Sequence, residues 1–192
     1  MSGTRHLTMA ELEAGLDAIR QSPKEQGTLE MIVRRPQVNA REVLEEGTLD
    51  LAEGLVGDRW RARGGSKAAD GMANRDTQLN VMSARVIALL AQSRERWALA
   101  GDQLYVDLDL SAENLPPGTR LAIGTAVIEV TSEPHNGCQK FKERFGAEAL
   151  QFVNSPLGKQ LHLRGVNARV VTPGTVRAGD EVRKLPVKTG AG

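Results

Sequence analysis

The feature that most constrains this chain is the rhythm of its β-type runs. They are short, they close on glycine or proline turns, and they seldom alternate with helical runs. A doubly wound parallel sheet needs that alternation, so the pattern argues against one. The runs read as strands at 27–35 (GTLEMIVRR), 77–82 (TQLNVM), 104–108, 120–123, 127–131, 167–171 and 175–184. Gly124-Thr125-Ala126 joins two of them as a hairpin, and Pro173-Gly174 and Gly179-Asp180 mark further turns. About six or seven short strands with two longer helices predict a mainly β (α+β) fold, a closed or half-closed β-barrel decorated with a few helices.

The first helix is expected over Thr8–Gln21, where Thr8 and Glu11 have capping-box spacing and Leu12, Leu16 and Ile19 recur on one face. Ser83 suits the N-cap of a second helix over Ala84–Ala98. Cys138–Phe145, closed by Gly146, and Ala147–Val153 read as short helices. Asn39–Glu53 has both helical and extended character, and Gly54–Trp60 (GLVGDRW) is a turn with two glycines. Arg61–Arg75, small, polar and Gly/Ala-rich, reads as a long mobile loop, of the kind that is either functional or disordered. The expected organisation is a helical extension over 1–26, a barrel domain over 27–185 and a frayed tail over 186–192.

Composition narrows the function. Lys plus Arg (25) nearly balance Asp plus Glu (24), and a net charge of +1 leaves no electrostatic footprint for nucleic acid. Aromatic residues, 3% of the chain, are too few to stack a single strand. No apolar run has the length of a membrane span, and the MSGTRHLTMA start lacks the apolar core of a signal peptide. One cysteine forms no internal disulfide, and together these features predict a reducing, cytoplasmic setting. No GxGxxG, Walker or GxSxG sequence occurs.

The chemistry concentrates between Glu133 and Arg169. A strand ends, a turn follows (Glu133-Pro134-His135-Asn136-Gly137), and Cys138 stands where the next helix starts. A thiol there feels the positive end of the helix dipole, and Lys140, Lys142 and Arg144 add positive charge; each favours the thiolate, the form that ligates a soft metal or accepts a sulfur atom. A lone cysteine is also often just a small buried hydrophobe. His135 with Cys138 supplies two metal ligands, short of the three or four that zinc takes.

At these residues the chain resembles the MOSC domain, named after the C-terminal domain of molybdenum cofactor sulfurases. The run Pro134–Ser155 (PHNGCQKFKERFGAEALQFVNS) is similar to the signature of a small stand-alone bacterial branch. GLVGDRW (54–60), RDTQLNVMS (75–83), ENLP (113–116), GTRLAIGTAVIEVT (118–131) and RGVNARVVTPGTVRAGDEV (164–182) resemble further family elements in order, over about Leu29–Leu185. The resemblance implies a MOSC-type barrel with one cysteine facing a pocket. That cysteine either ligates molybdenum in a bound pterin cofactor, as in reductases of N-hydroxylated compounds, or carries sulfur as a persulfide for delivery.

By the same resemblance Cys138 is the catalytic and metal-binding candidate, and Asp58, Arg59, Arg75, Asn114 and Arg169 are candidate cofactor contacts; His135, three residues before the cysteine, is a further candidate contact by its position. Asp58 and Asn114 also suit ordinary turns. The implied partners are an electron-donor reductase for the first role and a cysteine desulfurase for the second, with a small-molecule substrate. Full-length sulfurases carry a pyridoxal-phosphate domain; the chain has no counterpart, so pyridoxal phosphate is not expected to bind it. Whether the protein is itself an enzyme stays open at this level.

Overall fold

The computed structural model describes residues 4–65 and 70–187. In chain order the strands are β1 (Gln26–Arg34), β2 (Glu42–Leu44), β3 (Glu46–Asp50), β4 (Gly54–Leu55), β5 (Leu79–Ser83), β6 (Leu104–Asp107), β7 (Arg120–Ile123), β8 (Ala126–Val130), β9 (Val166–Thr172), β10 (Gly174–Arg177) and β11 (Glu181–Lys184). The helices are α1 (Met9–Ala14), α2 (Leu16–Arg20), α3 (Trp60–Arg63), α4 (Ala84–Ala91), α5 (Gln139–Phe145), α6 (Ala147–Asn154) and α7 (Pro156–Gln160). Arg75–Thr77 and Arg94–Ala100 are 3-10 turns.

Strands β11, β7, β8, β9, β5, β6 and β1 pair in that order, and β1 meets β11 again with Gln26 opposite Arg183, so the sheet closes on itself. Only the β5–β6 pair of the barrel is parallel, as the crossover through α4 and the Arg94–Ala100 turn requires. β2 hangs on β1, and β10, β3 and β4 form a small separate sheet. The fold is the expected closed β-barrel with helical decoration.

Side-chain alternation divides two cores. Leu79, Val81, Leu104, Val106, Val166 and Ala168 fill the barrel interior. Met82 and Tyr105, one residue out of phase, point outward and pack beneath the helices with Leu12, Trp97 and Phe141. A bulge between Leu29 and Met31 shifts the phase of β1, so Leu29 and Ile32 face inward while Met31 and Val33 join the outer layer.

Several local expectations change. The Thr8–Gln21 helix keeps its capping box but breaks at Gly15 into α1 and α2. The second helix keeps its Ser83 cap but stops at Ala91, where Gln92 turns left-handed (φ 63°), and the chain resumes as a 3-10 turn. Asn39–Glu53 resolves into β2 and β3. The presumed loop Arg61–Arg75 carries α3 at one end and a 3-10 turn at the other; its residues 66–69 lie outside the described residues, as do 188–192 of the tail. The single run Thr175–Lys184 is two strands in two sheets: the turn at Gly179-Asp180 sends β10 to β3 and returns β11 to the barrel. Helix α7, capped by Ser155 with Pro156 at its first position, was not anticipated. Among the described residues, no helix is long and apolar enough to cross a membrane.

Candidate functional site

After β8 the chain leaves the barrel and crosses its outer wall. Asn80 and Asn167 lie opposite each other in the β5–β9 register and face outward, with Asn80 Nδ2 donating to Asn167 Oδ1 at 2.6 Å. Asn167 Nδ2 in turn donates to the carbonyls of Glu133 and Pro134. Asn154 grips Gly137 both ways, accepting from its amide at 2.8 Å and donating to its carbonyl at 3.1 Å. These bonds deliver Cys138 to the N-cap position of α5, where its carbonyl accepts from Lys142 and its side chain makes no capping bond. The Cys138 side chain is exposed, so the thiol is not a core hydrophobe.

Cys138 opens onto a cleft of about 230 Å³. Seven cations line it: Arg35, Arg41, Arg59, Arg63, Lys140, Arg144 and Arg164. No carboxylate lines it among the described residues. Asp58 and Asp102 sit beneath, salt-bridged to Arg35 and Arg164; the other five cations have no carboxylate partner among the described residues. A chain of almost zero net charge thus concentrates positive charge at its one thiol.

One short element gathers these arginines. The carbonyls that end the Arg94–Ala100 turn have few backbone donors, as at any helix C-terminus, and carry partial negative charge. Ala98 O accepts from Arg41 Nε (3.2 Å), Leu99 O from Arg144 Nη1 (2.6 Å), Ala100 O from Arg164 Nη2 (3.0 Å) and Gly101 O from Arg35 Nη1 (2.9 Å). Tyr105, fully buried, anchors the turn by donating its hydroxyl to Trp97 O at 2.9 Å. Burial, then the like charges of Arg144 and Arg35, hold Arg41 below the ordinary arginine value. The guanidinium groups are crowded, and an anion would relieve their repulsion.

Two buried ion pairs form the floor. Arg35 forks onto Asp58 at 2.8 Å through both Nε and Nη2. Asp58 also accepts from the amides of Arg35 and Trp60, so it fastens the Gly57-Asp58 turn to the end of β1. Arg164 Nη1 lies 2.7 and 3.0 Å from the two oxygens of Asp102, with His135 Nε2 2.9 Å from Oδ1. Burial pushes Asp102 up, but Arg164 and His135 outweigh it and hold the carboxyl below the usual range. Burial and the Arg164 charge hold His135 below the usual imidazole value, with Asp102 offsetting only part. His135 is therefore neutral near pH 7 and donates Nε2–H to an ionised Asp102.

Of the sequence candidates, the structure brings Cys138, His135 and Arg59 to one cleft and places Asp58 beneath it. Arg75 lies apart, donating to Val170 O. Arg169 pairs with Asp76 and Glu129 on the barrel wall. Asn114 holds the carbonyls of Lys24 and Asp109 and accepts from Lys184, away from the cleft. Sequence reasoning missed Arg35, Arg41, Arg63 and Arg164. They come from four separate stretches, and the only local signal was the Arg-rich 59–63 run. Among the described residues, no three His, Cys, Asp or Glu side chains converge to hold a metal ion by themselves.

A closed barrel with a helical outer layer is the MOSC-type fold. The sequence model of the MOSC domain matches residues 68–183, and the chain belongs to that family. Among solved structures it is similar to the YuaD protein of Bacillus subtilis (TM-score 0.60, 18% identity, 82% of this chain and 94% of that one). It is also similar to YiiM of Escherichia coli (TM-score 0.54, 22% identity, 83% and 70%) and YiiM of Geobacillus stearothermophilus (TM-score 0.51, 13% identity, 88% and 76%). At these identities the likeness concerns the fold. No curated protein matches the chain in sequence.

Proposed function

We propose that the cleft holds molybdenum cofactor, pterin-bound molybdenum, with the Cys138 sulfur as its protein ligand. The observation that carries this reading is an exposed thiol in a cleft lined by seven cations and, among the described residues, no carboxylate. The donor set fits the group: a thiolate is a soft ligand suited to molybdenum, and planar arginine forks suit a phosphate. Arg41, Arg59, Arg63 and Arg144 would hold the anionic part. His135, fixed by Asp102, lines the same cleft. The bound centre would supply two-electron redox chemistry, directed at N-hydroxylated compounds. Taking an N–OH group to N–H consumes two electrons and two protons and releases water, so a separate electron-donor protein is required. The lone free thiol suits a cytoplasmic setting.

Protein expressed in a cofactor-competent host should contain near-stoichiometric molybdenum and pterin fluorescence, both lost in Cys138→Ala. Wild-type protein without stoichiometric molybdenum would sink the reading.

A second reading is favoured by the exposure of Cys138 itself, which a partner protein can reach. The Cys138 thiolate would attack the terminal sulfur of a cysteine desulfurase persulfide, release the donor's thiolate and keep a persulfide for delivery. Intact mass should then rise by one sulfur after incubation with the desulfurase, and not in Cys138→Ala.

A further inference from the structure

We infer that the cavity on the far side of His135 is a second binding site, for a small uncharged organic molecule with an apolar body and an amide-like polar end. The cavity measures about 390 Å³, at the small end of the roughly 300–1,000 Å³ typical of organic-ligand pockets. It shares His135, Asn136 and Arg164 with the cysteine cleft but differs from it in character. Leu115, Val130, Val153 and Val166 supply apolar walls. Its charges nearly cancel: Glu133 opposes Lys159, and Arg164 is neutralised by Asp102. An anion would therefore go to the cleft, and an uncharged molecule to this cavity.

Three residues that line the cavity each carry a polar side-chain atom without a partner among the described residues. Arg164, only 7% exposed, has an Nε that is the sole buried side-chain nitrogen or oxygen without a hydrogen bond among the described residues. Leaving such a donor unpaired is costly, and a ligand acceptor that reached it through a small shift of the Arg164 side chain would recover that cost. His162 Nδ1 lies 2.7 Å from Leu110 O; a carbonyl only accepts, so Nδ1–H donates, which fixes the tautomer with Nε2 as the acceptor nitrogen. His135 is fixed the other way, with Nε2–H on Asp102 and Nδ1 left as an acceptor. One donor and two acceptors complement an amide, whose carbonyl accepts and whose N–H groups donate. His162 also holds a left-handed backbone (φ 48°), a conformation that non-glycine residues adopt rarely and often at functional sites.

Nothing in this assignment depends on what Cys138 carries. Benzamide, titrated into the full chain and followed by NMR, should bind saturably at millimolar concentration. Ala112 is exposed at the cavity mouth, so Ala112→Trp should narrow the mouth without disturbing the core and weaken binding at least tenfold. His162→Asn, which tolerates the left-handed backbone, should weaken it severalfold, because the shorter amide does not reach the position of the ring Nε2. Excess inorganic phosphate and Cys138→Ala should leave benzamide binding unchanged. Absence of saturable binding, binding indifferent to Ala112→Trp, or displacement by phosphate would overturn the site. Equal affinity for toluene would overturn the polar end assigned to it.

Discussion

His135 Nε2 lies 2.9 Å from Oδ1 of Asp102, a carboxylate whose side chain is shut off from water. The pair gives the protein a defined response to acid. The folded value of His135 lies below the ordinary 6.5 because of burial and the Arg164 charge. Above pH 6.5 the ring is neutral folded or unfolded. As pH falls below 6.5, the unfolded chain takes up a proton that the native ring resists, so stability falls until the folded value is passed. Asp102, held below 3.8, acts in the same direction at lower pH: its contribution is present above 3.8 and is lost as pH falls through its folded value. Urea midpoints should drop between pH 7 and pH 5, with a shallower slope in His135→Gln. Identical slopes would show that His135 is not the titrating group.

Arg164 and Asp102 are both buried, so removing one partner leaves an uncompensated charge in the interior. Asp102→Asn should cost about 3–5 kcal/mol of unfolding free energy. The double change Asp102→Leu with Arg164→Met should cost less than the sum of the two single changes, because no charge is then left buried. Urea denaturation of the four proteins closes the cycle, and strict additivity would contradict the pairing.

How much of this could be read from the sequence depends on distance along the chain. The Ser83 and Thr8 caps, the hairpin at Gly124 and Cys138 at a helix start are local patterns, and each stands in the structure as read. The separation of β10 from β11 was not legible, because which sheet a strand joins is set by pairing with β3 and β7 far away in sequence. The arginine cluster was hidden for the same reason. Arg35, Arg41 and Arg164 are unremarkable surface types until the closed barrel brings them, with the Arg144 already noted beside Cys138, to four successive carbonyls. Asn114 illustrates the converse. Its motif resemblance was visible, but its contacts are with Lys24, Asp109 and Lys184, and these are structural.

The charge of the cleft should be visible in thiol kinetics. An anionic disulfide reagent such as DTNB should modify Cys138 in the native protein faster than a neutral dipyridyl disulfide at low salt. The rates should converge near 1 M salt, where the screening length shrinks to about 3 Å. A salt-independent ratio would mean that the cations do not act at the sulfur.

Arg144 donates to Leu99 O at 2.6 Å and lines the cleft without a carboxylate partner among the described residues. Arg144→Gln should weaken pyrophosphate binding about tenfold, the order expected for one lost charge-assisted hydrogen bond. Cys138→Ala should leave that affinity unchanged, since the sulfur is no anion ligand. Calorimetric titration at two ionic strengths would check both.

Gly101 ties the backbone to the cluster. Its φ is +86°, and a Cβ there would stand 3.3 Å from Arg41 Nη2 and 3.9 Å from Arg144 Nη1. Two effects are therefore combined in Gly101→Ala: left-handed strain, costing about 1–2 kcal/mol, and displacement of the Arg41 guanidinium. Gly101→Asn separates them, because asparagine tolerates positive φ better while still carrying a Cβ. Stability should recover in Gly101→Asn while pyrophosphate affinity stays low in both variants. Recovery of both quantities would assign the whole effect to backbone strain and leave Arg41 without a positional dependence on this glycine.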